Sequence, residues 1–206
     1  MQADRPRLVI IDDHEAWCHG LEEALRLRPG APLVVYAGPD LTKAIDALAK
    51  PGSAAFALID AHLADGTASV ALVRSLRDRG APVVAMTAQA EPEVICSLMS
   101  AGASGCITKA EVLRCLDEVT AAAMQGHLYL TPVLTASLLA SAPSDLLDSS
   151  WDEVLRWHAA GVPMDVILER HRLDPQDLER VLRELIAALP SLDHGTNASS
   201  SSTAGD

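Results

Sequence analysis

Short apolar runs alternate with longer segments of three- and four-residue periodicity along positions 7–125 of the chain. The apolar runs fall at 7–11, 32–36, 55–59, 82–86 and 104–108, the length of strands rather than of helices. Between them, segments such as Ala16–Arg28 and Thr67–Arg79 repeat Leu or Val at helical spacing. Pro or Gly marks most junctions: Pro29-Gly30, Pro51-Gly52, Gly80 before Pro82, and Gly102. Strands with no polar side must be covered on both faces. Alternation with helices therefore predicts a parallel sheet of five strands between two helical layers. Right-handed crossovers then leave few topologies open.

After Gly126 the pattern changes. The stretch HLYLTPVLTASLLASAPSD reads as a connector with one short amphipathic helix at about 132–140. Ser150–Leu189 is helical in period, broken at Gly161-Val162-Pro163 and at Leu173-Asp174-Pro175. Pro163 and Pro175 suit first-turn helix positions, and Asp174 suits an N-cap. The last stretch, SLDHGTNASSSSTAGD, is small and polar and is expected to be disordered. No internal repeat stands out.

Composition narrows the classes. The chain has 206 residues, 49% of them hydrophobic but only 3% aromatic, so Leu, Val, Ile and Ala must build the core. A formal net charge of -12 excludes chain-wide attraction to nucleic acid; any DNA contact needs a local basic patch. Cys18, Cys96, Cys106 and Cys115 form no C-x-x-C pair and no metal spacing with histidine, and read as reduced, mostly buried thiols. The N-terminal MQADRPRLVII lacks signal-peptide architecture, and no apolar run approaches the ~20 residues of a membrane span. The expected location is the cytoplasm, where the Asn197 sequon has no role, and no membrane partner is expected.

The candidate chemistry lies at the strand ends. Four of the runs deliver Asp12-Asp13, Asp60, Thr87 and Lys109. In an open parallel sheet the ligand crevice lies at the carboxyl ends of the strands. Three carboxylates, a hydroxyl and an ammonium would meet there, a set suited to a hard divalent cation and a phosphoryl group. Asp60 is the candidate nucleophile, since a carboxylate can attack phosphorus. Lys109 and Thr87 would face the phosphoryl oxygens. One polar strand end facing water is ordinary; five at matching ends point to a site. The adjacent Asp12 and Asp13 repel each other unless a cation stands between them. His14 reads as a surface residue opening the first helix ahead of a metal ligand, and His62 sits at the pocket mouth. Trp17, Trp151 and Trp157 read as helix-packing residues.

Residues 7–125 resemble the receiver domain of bacterial two-component response regulators through VIIDDH, the IDAHLADG stretch, AMTAQ and AGASGCITKAE. The resemblance implies Asp60 as phospho-acceptor, Asp12, Asp13 and Asp60 as a Mg2+ pocket completed by the backbone carbonyl of His62, and Thr87 and Lys109 as phosphate-sensing residues. It implies a sensor histidine kinase as partner. Two departures stand out: Ala64 replaces a proline common after the phospho-acceptor strand, and Cys106 replaces the aromatic usual three residues before the lysine.

GHLYLTPVLTASLL resembles the connector of NarL/FixJ-type response regulators, which carry a LuxR-like helix-turn-helix, and 148–190 keeps that domain's outline. The expected fold is therefore α/β: a flavodoxin-like, doubly wound, five-stranded receiver, then a small all-α helix-turn-helix-like domain. The expected division is receiver 1–125, linker 126–147, divergent LuxR-like domain 148–190 and tail 191–206. Arg170, Arg172, Arg180 and Arg183 are the candidate DNA contacts. Asp177 and Glu179, however, stand where the family usually has Thr and Lys. Two functions follow. The first is a phosphorylated regulator of transcription that binds DNA, weakly or with assistance. The alternative is a receiver whose degenerate output domain signals by binding protein, a second copy included. With no fingerprint loop or nucleophile triad, an enzyme is not expected.

Overall fold

The structure, a computed structural model, describes residues 5–52, 54–63 and 67–189. The five apolar runs form β1 (Arg7–Ile11), β2 (Leu33–Gly38), β3 (Ala55–Asp60), β4 (Val83–Thr87) and β5 (Gly105–Thr108). The periodic segments form α1 (Glu15–Leu27), α2 (Leu41–Ala49), α3 (Thr67–Asp78), α4 (Pro92–Ser100) and α5 (Val112–Gln125). All pairings are parallel, in the order β2-β1-β3-β4-β5. The chain thus reverses its direction of travel across the sheet between β1 and β3, and this opens a crevice at their carboxyl ends.

A sixth strand, β6 (Tyr129–Leu130), extends the sheet beyond β5, where the hydrophobic pattern supports five strands. Two residues are too few to show a period. Gly105 makes room for this strand: a Cβ there would lie 2.8 Å from the Tyr129 carbonyl oxygen.

Alternate strand residues feed two cores, as the two-residue repeat of a strand requires. Leu8, Ile10, Phe56, Leu58, Val84 and Met86 pack under α1 and α5. Val9, Ile11, Ala57, Ile59, Val83 and Ala85 pack under α2, α3 and α4. One helix departs from the amphipathic rule. Every residue of α4 from Val94 to Met99 is buried, whereas a surface helix buries one stripe. Its outer side is covered by the chain that follows.

That chain forms α6 (Pro132–Ser141), α7 (Ser149–Ala159), α8 (Met164–His171) and α9 (Pro175–Ala188). Both α6 and α9 pack against α4. Leu134, Thr135 and Leu138 of α6 are buried, so the connector helix is an integral part of the packing. Leu178, Val181, Leu182, Leu185 and Ile186 of α9 join the same apolar cluster as α4. The Asp174 carboxylate caps α9, accepting from the Gln176 N–H at 2.8 Å, and Pro175 opens its first turn. Pro163 precedes α8 as its N-cap instead of lying inside the first turn. Tail 191–206 and Ala64 lie outside the described residues. No described helix is long and apolar enough to cross a membrane.

Candidate functional site

The strand registers bring the polar ends together. Ile11 pairs with Ile59, which sets Asp12 beside Asp60. Thr87 pairs with Thr108, and the Lys109 N–H donates to the Thr87 carbonyl at 2.8 Å. Ligand atoms of Asp12, Asp13, His14 and Asp60 lie within 4.8 Å of one another. The Lys109 ammonium reaches Asp12 Oδ2 at 2.6 Å and Asp60 Oδ2 at 2.8 Å. Asp12 and Asp60 are buried while Asp13 is exposed, so the acidic pair spans the step from core to solvent.

Local hydrogen bonds fix these groups. The His14 N–H donates to Asp12 Oδ1 at 2.9 Å, a tight turn that starts α1. The His62 N–H donates to Asp60 Oδ1 at 3.3 Å. The buried Ser69 hydroxyl donates to the Asp60 carbonyl at 2.9 Å, tying the strand end to α3. Two anions this deep need a counter-charge, and Lys109 provides it. Burial alone would lower the Lys109 pKa; the contacts with Asp12 and then Asp60 outweigh it and hold the ammonium above its ordinary range. Burial, and next the Asp12 charge, pushes the neighbouring Cys18 thiol up to about 11. The Cys106 thiol, in the position of the usual aromatic, is pushed up to about 12 by burial.

The oxygen-rich donor set fits a hard divalent cation. Three carboxylates facing one ammonium also leave negative charge that such a cation would offset.

Two residues read as bland from the sequence belong to this pocket. His14 does open α1, and its Nδ1 also lies 3.0 Å from Asp12, 2.9 Å from Asp13 and 3.9 Å from Asp60. The Trp17 ring, one turn on, stands 5.0 Å from the Lys109 ammonium, close enough for a cation–π contact. A histidine directly after an acidic pair was the available signal for the first. The second depends on how α1 leans over the sheet.

Thr87 is at its strand end, but its hydroxyl donates to the Gln89 carbonyl at 2.6 Å and not to a carboxylate of the pocket. The His62 ring lies at the mouth, with Nε2 3.9 Å from Glu91. The four arginines do not converge. Arg170 stacks 4.7 Å from the Trp157 ring, and Arg172 ends α8 with a left-handed backbone (φ 54°). Arg180 pairs with Glu184 at 2.9 Å and Arg183 with Glu179 at 2.7 Å, both along α9.

The family model described as the response regulator receiver domain matches residues 8–120. The chain belongs to the response regulator receiver family. No curated protein matches it in sequence. Among solved structures, it is similar to the RcsB response regulator of Salmonella typhimurium, with 18% identity, a TM-score of 0.57, and coverage of 91% of this chain and 93% of that one. It is similar to the response regulator ChrA of a heme-sensing two-component system, at 24% identity and TM-score 0.53, over 87% of this chain and 88% of that one. A LuxR-family response regulator from Aurantimonas sp. SI85-9A1 matches at 22% identity and TM-score 0.52, over 64% of this chain and 93% of that one. The likeness to RcsB and ChrA extends past the receiver, so the fold of receiver followed by helices is shared over most of the chain.

Proposed function

We propose that this protein is a response regulator in which Asp60 accepts a phosphoryl group from a sensor histidine kinase. Asp12, Asp13 and Asp60, with the backbone carbonyl of His62, would hold Mg2+. A bound divalent cation offsets the repulsion between the incoming phosphoryl group and the carboxylates. A bond forms from an Asp60 carboxylate oxygen to phosphorus as the donor's phosphorus–nitrogen bond breaks, its electron pair leaving with the donor imidazole. Lys109 neutralises the new oxygens, and Thr87 gives up its bond to Gln89 to donate to them. The observation that carries this reading is the Lys109 ammonium bridging the buried Asp12 and Asp60 carboxylates at 2.6 and 2.8 Å.

The functional division follows the sequence reading: receiver 1–125, connector 126–147, output helices 148–190. The phosphorylated protein acts in the cytoplasm on transcription, as a regulator and not as an enzyme. The similar RcsB structure is described in terms of DNA interaction, which supports a DNA-directed output here through Arg170, Arg172, Arg180 and Arg183. One observation favours a second reading, an output that binds protein or a second copy of the chain. The α9 arginines are engaged by the helix's own acids, which leaves a mixed-charge surface.

Acetyl phosphate with Mg2+, followed by intact-mass measurement, tests the first step. Wild type is expected to gain one phosphoryl group and Asp60→Asn none, with slower labelling of Asp13→Asn. Equal labelling of wild type and Asp60→Asn would place the acceptor elsewhere.

A further inference from the structure

We propose that His14 is a ligand of the divalent cation through Nδ1. The pocket then holds a borderline cation such as Co2+ by a contact that Mg2+ does not use. This rests on the acidic-pocket reading above and adds to it a residue that sets which ion is preferred.

The geometry is that of donors sharing an ion. Nδ1 stands 2.9 Å from Asp13 Oδ1, 3.0 Å from Asp12 Oδ1 and 3.9 Å from Asp60 Oδ2. Ligands at ~2.1 Å from one ion lie on the order of 3–4 Å from each other. A nitrogen facing three acceptors must donate a proton to them or share a cation with them.

Three further observations favour sharing. Asp13 meets no lysine or arginine among the described residues; its ion-pair contact there is His14. Lys109 serves Asp12 and Asp60 instead. Three carboxylates therefore face a single ammonium, which leaves the pocket short of positive charge. The His14 side chain is 67% exposed, and its backbone N–H is fixed to Asp12 Oδ1. Burial therefore does not drive the ring inward.

The chemistry follows from ligand softness. Mg2+ takes oxygen and keeps its waters. Imidazole adds little for Mg2+ but suits first-row transition metals, with Co2+ above Mn2+ in affinity. Loss of the ring should therefore separate the two classes of ion.

Isothermal titration calorimetry on the full chain at one fixed pH, with Mg2+, Mn2+ and Co2+ in turn, reads this out. His14→Ala should weaken Co2+ binding about tenfold or more and Mn2+ binding less, leaving Mg2+ within about twofold. The visible bands of bound Co2+ should move in the variant toward those of an all-oxygen site. Equal weakening for Mg2+ and Co2+, unchanged Co2+ binding, or tighter binding of both ions would overturn the proposal. The last would make the ring a plug in the pocket. Asp13→Asn separates this failure from a deeper one. It should weaken every ion; unweakened binding in Asp13→Asn, or a wild type that binds none, would remove the acidic pocket itself along with His14.

Discussion

Lys109 is the residue on which the site's internal balance turns. Its ammonium is shared by two buried carboxylates, and removing one member of a buried ion pair leaves an uncompensated charge that costs about 3–5 kcal/mol. Lys109→Met, measured by urea denaturation in EDTA, should lose on that order of stability. The pH dependence has a definite sign. The folded-state pKa of Lys109 is raised above the ordinary 10.5, so its contribution is complete below that value and is lost as pH rises through the folded pKa. The stability gap between wild type and Lys109→Met should stay constant from pH 7 to about 10 and shrink above about 10.5. A gap already closing at pH 8 would mean that the ammonium is not held by the two carboxylates. At this scale the carboxylates and the lysine were legible in the sequence because a strand end fixes direction as well as position. The rotation of the Thr87 hydroxyl toward Gln89 was not. A side-chain torsion leaves no trace in the pattern of residues. The place of His14 follows from a turn that its own backbone makes with Asp12.

Among the elements, α4 and α9 decide how the two halves of the chain meet. In PEVICSLMS the polar Glu93, Ser97 and Ser100 fall at i, i+4 and i+7, an ordinary polar stripe, so the burial of α4 on both sides was not legible. The covering elements, α6 and α9, come from distant sequence, and nothing local indicates them. The residues Leu178, Val181, Leu182 and Leu185 do show the stripe of α9, but a stripe does not name what it packs on. Here it joins the α4 cluster. Leu185 is fully buried, and truncation of such a leucine leaves a cavity worth about 2–5 kcal/mol. Leu185→Ala should therefore lower the stability of the whole chain by that order. It should also raise amide exchange in α4 as well as in α9. Faster exchange confined to 148–189, with α4 unchanged, would show that the output helices form a core of their own.

For the whole molecule the question is what the receiver controls. A net charge of -12 repels a DNA backbone at long range, so affinity must come from a local basic surface, and α9 does not supply one. Arg180 is within 3.6 Å of Asp177 as well as 2.9 Å of Glu184. Arg183 is held by Glu179, which also approaches His127 at 3.7 Å. A DNA phosphate would have to displace these acids, and each arginine already neutralised releases fewer counterions on binding. The exposed side of α9 is thus a mixed-charge surface, better matched to another protein. Its apolar side is shared with α4, so the output helices are best tested in the full chain. Wild type should bind duplex DNA only in the non-specific range, ~10⁻⁴–10⁻⁶ M at physiological salt, with a shallow salt slope. Asp177→Thr combined with Glu179→Lys removes two acids, frees Arg183 and adds a cation. That variant should bind more tightly and with a steeper dependence on salt. Fluorescence anisotropy across a salt series, with and without acetyl phosphate, measures both quantities. Nanomolar binding of unmodified wild type to a defined site, abolished by Arg180→Ala with Arg183→Ala, would show that the intrahelical pairs yield readily to phosphate and that DNA is the direct target.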